Sequence, residues 1–345
     1  MSATTPAGAF MPAPYDSVGV GTLIGRAWNL FRGDIRRSVS VMLPSLLLNG
    51  VAGVLVAIPS SFSASARSGG SYLWTLGICY GIALILITIE FFLRAGSFVV
   101  LSRLYRATIE LRPPIPIRQA VQELLGKAPG FISVAIALIV TGFFFLIADW
   151  AVLTLGIILF SMLAAGLLAP MVASFSAFPF IPIVIGSALF MMMGAGLVGL
   201  LSFQCLGCLL PLAAVANCRD NSISAQWREM GRTYAFLWRA PLRAGAFGLA
   251  LLLCYAVLAL ALSFPTQAAY FFFLYFNPVA PGVIPLPVSI GASVYGIIVQ
   301  GIIWPFIFAA LTLFWYDCQV RWQGADMRLR LERLRSAMDS ADSAA

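Results

Sequence analysis

A polytopic, all-α membrane bundle is the fold class this sequence predicts, and three observations predict it. Long uncharged runs recur along the chain, the last being VSIGASVYGIIVQGIIWPFIFAALTLFWY from Val288 to Tyr316. A run of more than ~18 apolar residues reads as a membrane-spanning helix. The 345 residues are 61% hydrophobic and only 10% charged, with a mean hydropathy of +0.96, so lipid has to cover much of the surface. The arginines behind the formal charge of +8 gather at the ends of apolar runs, the positive-inside pattern rather than a nucleic-acid footprint.

Residues 1–16 are small, polar and proline-containing, which predicts a disordered N-terminus without a cleavable signal peptide. Residues 17–323 read as the helical membrane domain, and 324–345 as a cytoplasmic C-terminal helix and tail. From Val18 to Ser40, Leu23, Ala27, Leu30, Phe31 and Ile35 recur at helical spacing, with Arg26, Arg32, Arg36 and Arg37 on other faces. That pattern predicts a surface helix feeding the first span, Val41 to Ile58. A Ser/Gly loop carrying only Arg67 follows, placed outside.

The second span, Tyr72 to Val100, carries Glu90 and Arg94, four residues apart and so on one helical face. Charges inside a span are functional candidates. The plainer account is a neutralised pair with Arg94 snorkelling toward the headgroups. Ser102 to Lys127 is basic and broken by Pro113, Pro114 and Pro116, an inner loop with a short amphipathic helix over Ile117 to Leu125.

Phe131 to Asn217 holds a single charged side chain, Asp149. Asp149-Trp150 reads as one turn and Pro170 to Pro182 as another. Basic stretches flank the block on both sides, so it crosses an even number of times, giving six spans or, with four crossings here, eight. Cys205 and Cys208 form a C-x-x-C, which in a soluble setting would suggest redox chemistry. On an apolar helix, small packing residues are the simpler reading.

Asn217 to Arg243 reads as an inner helical hairpin, its aromatics set among Arg228, Arg232, Arg239 and Arg243 as lipid contacts for an anionic inner leaflet. The next span is Leu242 to Leu262, and the uncharged aromatic stretch Ser263 to Pro287 reads as an outer interfacial loop. Asp317, at the end of the last span, opposes the helix dipole and calls for a cation, from Arg228 to Arg243 or from Arg321 one turn on.

Three stretches carry a family resemblance. Ala27-Trp28-Asn29-Leu30-Phe31 with Val41 to Leu48, AQWREMGRTYAFLWRAPLRAGA from Ala225 to Ala246, and Tyr316-Asp317-Cys318-Gln319-Val320-Arg321 followed by Gln323-Gly324-Ala325-Asp326 occur in that order. Together they resemble the opening helix, inner helix and closing motif of the bacterial glycerophosphoryl diester phosphodiesterase membrane domain. Gln319 and Gln323 stand where that closing motif usually has charge.

The resemblance implies a stand-alone module of the bacterial inner membrane with both termini cytoplasmic. The associated hydrolase uses paired histidines, carboxylates and a metal, and this chain has no histidine. The expectation is therefore a non-catalytic accessory or lipid-binding protein with no cofactor, no metal and no nucleic-acid partner. Membrane lipids and a membrane protein are its expected partners. The alternative is a carrier with Glu90, Arg94 and Asp149 along a polar path, which would show broken helices or repeated spans.

Overall fold

The computed structural model describes residues 19–58, 70–110, 112–163, 200, 202, 204, 206–218, 220–276 and 285–323. Among them there is no strand. The helices are α1 (Val20–Gly33), α2 (Ile35–Ala57), α3 (Gly70–Ile109), α4 (Ile117–Gly126) and α5 (Ala128–Leu163). They continue with α6 (Leu206–Asn217), α7 (Ile223–Arg239), α8 (Pro241–Phe276) and α9 (Leu286–Gln323). Five of these, α2, α3, α5, α8 and α9, are long and apolar enough to cross a membrane. The six or eight spans expected from sequence exceed that number, and part of that expectation falls on residues 164–199, outside the described ones.

The last helix is the pillar. In α9, 72% of the most apolar window is buried inside the protein, against 17% in α3 and α8, and α1, α2, α3 and α8 all pack on it. Phe308 stacks on Phe98 of α3 at 4.4 Å, and Phe314 on Phe247 of α8 at 4.1 Å. In α1, Leu23, Ala27, Leu30 and Phe31 are buried, as their spacing predicts. Trp28 stays half-exposed with its edge to Phe306. Ile35 belongs to α2 and is exposed, because the helix breaks at Asp34 and restarts on a new face.

Three boundary expectations are corrected. No turn forms at Asp149-Trp150, since α5 runs unbroken through them for 36 residues. One charge surrounded by apolar residues leaves a helix as the best way to satisfy the backbone away from water. The stretch after Leu262 is helix as far as Phe276, with Pro265 inside it. The backbone of a helix in lipid has no water to turn to, so a single proline is absorbed rather than ending the element. The hairpin expected over Asn217 to Arg243 is one helix, α7, capped by the Ser222 hydroxyl on the Ala225 amide and followed by a tight turn at Ala240.

The basic segments meet at one end of the bundle. The Lys127 ammonium, before α5, donates to the Cys218 carbonyl, after α6. The described ends of the apolar block therefore lie close together. The Ser38 and Tyr105 hydroxyls lie 2.8 Å apart, bringing the start of α2 to the same end as the close of α3. Close approach is built in here: a Cβ on Gly130 would stand 2.5 Å from the buried Gln226 side chain of α7.

Candidate functional site

Two arginine–carboxylate clusters sit on α3, and their settings differ. In the first, Arg94 Nη2 lies 2.5 Å from Glu90 Oε1 and donates to Gln300 Oε1 of α9 at 3.1 Å. Asn49 of α2 donates to the same oxygen at 2.7 Å, and the guanidinium lies 4.6 Å from the Trp304 ring centre. The α3 pair is thus joined to α2 and α9, and the arginine is covered by an aromatic face. Glu90 is buried. Arg94 is held within the bundle by these contacts. Asp149 lies within α5, its side chain outside the described residues.

The second cluster occupies the basic end. Glu110 is its hub: Oε1 accepts from Arg106 Nε at 2.9 Å and from the Tyr316 hydroxyl at 3.1 Å, while Oε2 lies 2.7 Å from Arg112 Nε. Arg106 Nη1 also reaches Asn217 at the end of α6. Arg103 Nε donates to the Ala216 carbonyl at 2.7 Å, and its guanidinium pairs with Glu123 of α4. These groups surround a cleft of about 460 Å³ lined by Arg103, Arg106, Glu110, Arg112, Glu123 and Asn217, among others. A second lobe of about 450 Å³ shares Arg103 and Glu123 and reaches Lys127. Gln119 also lines both.

Physical causes fix these side chains in place. Pro116 sets the N-terminus of α4, so Glu123 is brought back over α3. Lys127 is almost wholly buried, and that burial, reinforced by Arg103, lowers its pKa to about 8. Arg112 keeps about half its side chain exposed toward the cleft.

Asp317 of α9 accepts on Oδ2 from Arg243 Nη2 at 2.7 Å and from Arg321 Nε at 3.1 Å. The cation that the end of the last span calls for is therefore supplied twice. Arg243 faces α9 on account of this pairing, which corrects its expected place among the lipid contacts. Arg228, Arg232 and Arg239 are exposed on α7, with Arg232 2.5 Å from Glu229. Cys208 lies in α6, and Cys205 lies outside the described residues. Among the described residues no group of three metal-ligating side chains comes together.

The cleft was not visible as a constellation in the sequence. Glu110 and Lys127 lie within a stretch read as basic, and their partners Tyr316 and Cys218 are 206 and 91 residues away. The one available signal was two acids within a run of arginines, which marks charges paired locally rather than facing solvent. No protein-family model, curated protein or solved structure matches the chain.

Proposed function

We propose that the chain is a non-catalytic accessory or lipid-binding module of a bacterial inner membrane, with its basic end and both termini cytoplasmic. In this reading it is akin to the glycerophosphoryl diester phosphodiesterase membrane domain. The observation that carries the reading is the asymmetry between the two clusters on α3. The mid-helix pair is closed over by Gln300 and Trp304, whereas the basic end opens as a cleft flanked by exposed arginines. Trp227 and Trp238 are exposed on α7 beside Arg228, Arg232 and Arg239, an arrangement suited to the headgroup level.

A carrier needs a polar route past mid-membrane, and the Glu90–Arg94 pair would have to open to give one. Reconstitution into liposomes tests the choice. The accessory reading expects no headgroup-labelled lipid to cross faster than in protein-free vesicles, together with co-purification of a membrane partner. Lipid movement abolished by the double substitution E90Q/R94Q in a folded protein would overturn it. Orientation is tested with single cysteines in a cysteine-free protein. Position 232 should resist an impermeant thiol reagent in intact cells, and position 67 should react.

A further inference from the structure

The geometry points to the cleft between α3 and α4 as a binding site for a phosphomonoester dianion, seated among Arg103, Arg106 and Arg112, with Glu123 as the built-in anion it displaces. This deepens the accessory reading by naming the ligand chemistry at that end of the molecule, and it rests on that reading. Charge is the first argument. Across both lobes, Arg103, Arg106, Arg112 and Lys127 face two lining carboxylates, Glu110 and Glu123, a surplus of two positive charges that becomes three when Glu123 is displaced. A phosphomonoester above its second ionisation carries close to two negative charges. A carboxylate or phosphodiester carries one and would leave the larger part of that surplus unmet.

Geometry is the second argument. Guanidinium forks grip phosphate oxygens in pairs, and three of them converge here. Two are held in place from behind: Arg106 by Glu110 and Asn217, and Arg103 by the Ala216 carbonyl. Arg112 uses Nε on Glu110 and presents the rest of its half-exposed head to the cleft. Glu123, about a third exposed on a short amphipathic helix, is the most easily displaced member.

Depth is the third argument. At ~1.5 Å per residue the 40 residues of α3 extend ~60 Å, well beyond a ~30 Å hydrocarbon layer, so its last turns with Arg103 and Arg106 reach headgroup level. Val121 and Leu125 on α4 and Ile115 at the cleft edge offer apolar contact beside the charges. The same phosphate group can therefore arrive on a lipid, as in phosphatidate, or free from solution.

The test uses the full chain in nanodiscs, with lipid retention read by native mass spectrometry and thermal stability by tryptophan fluorescence. Phosphatidate and phosphatidylglycerol are compared in a phosphatidylcholine background, and inorganic phosphate is titrated into phosphatidylcholine-only discs. Phosphatidate should be retained over phosphatidylglycerol, or inorganic phosphate should raise the melting temperature. R112Q should weaken the response about tenfold, the loss of one charge-assisted contact. E123Q should strengthen it. R36Q removes an equal charge from the exposed start of α2 and should leave it unchanged.

Phosphatidate retention without a response to free phosphate assigns the group to a lipid. The converse assigns it to a soluble phosphomonoester. Each supports the site. Indifference to both probes overturns it, as does an equal loss in R36Q and R112Q. If R112Q does not fold, E123Q decides alone, because a gain cannot arise from damage and a loss refutes the displacement. Failure of the site leaves the accessory reading to be judged on lipid movement and partner co-purification.

Discussion

The two clusters on α3 use the same side chains to opposite ends. Nine residues separate Arg94 from Arg103, yet Arg94 is matched one-to-one by Glu90 and sealed by α2 and α9, while Arg103 belongs to a cluster with more cations than acids. Neutrality and closure make the first a structural joint, since an unmatched charge in the apolar layer would be costly. Surplus charge beside an open volume makes the second a receptor. An arginine in a span is therefore informative through its charge balance with its neighbours more than through its presence.

The hardest break to that contrast is at the joint. Glu90→Gln leaves Arg94 unpaired within the bundle, and breaking a buried pair costs about 3–5 kcal/mol. The double change with Arg94→Gln removes both charges and should cost about 1–2 kcal/mol, mainly the bonds to Gln300. Unfolding of the detergent-solubilised chain, with the wild type and both single variants, measures the difference. Equal losses in the single and double variants would mean that the pair is not neutralising and that Arg94 has a separate purpose.

Asp317 provides the intermediate case, a fully buried carboxylate holding two arginines at the basic end. Asp317→Asn preserves shape but removes the negative charge that Arg243 and Arg321 share. The expected cost is about 2–3 kcal/mol, less than at Glu90 because headgroup-level water relieves part of it. Arg243 anchors the start of α8, directly after α7, so protease should cut α7 faster while α9 stays inserted. Unchanged cleavage of α7 would show that the pair does not join the two helices.

These elements differ in how far the sequence announced them. The bundle was legible because apolar length and arginine placement are local quantities, and so was the buried face of α1, where Leu23, Ala27, Leu30 and Phe31 share one stripe. The Glu90–Arg94 contact was legible because four residues is one helical turn. Asp149-Trp150 misled because a lone charge does not end a helix among apolar neighbours, and the stretch from Ser263 misled because uncharged aromatic residues suit a helix as well as an interfacial loop. The cleft was hidden for another reason. Its walls come from α3, α4 and the end of α6, and no local pattern says that Lys127 will meet the carbonyl of Cys218.

The smallest expected effect concerns Lys127, at the basic end. Burial, then Arg103, lowers Lys127 to about 8, with Arg106 adding to that and with Cys218 and Asp220 opposing it. Glu123 on α4 is the other charged group lining its lobe. Below pH 8 the lysine is protonated whether the chain is folded or not. Between pH 8 and its ordinary value of 10.5 the folded chain binds fewer protons than the unfolded one, so its contribution to stability rises with pH. Anion affinity must run the other way, falling as the ammonium discharges through pH 8. The loss, read against the concentration of the phosphate dianion at each pH, should be about threefold. Inorganic phosphate titrations and unfolding curves at pH 7 and pH 9.5 should therefore slope in opposite directions, and Lys127→Met should flatten both. Two slopes of the same sign would place the titrating group elsewhere and remove Lys127 from the cleft's charge balance.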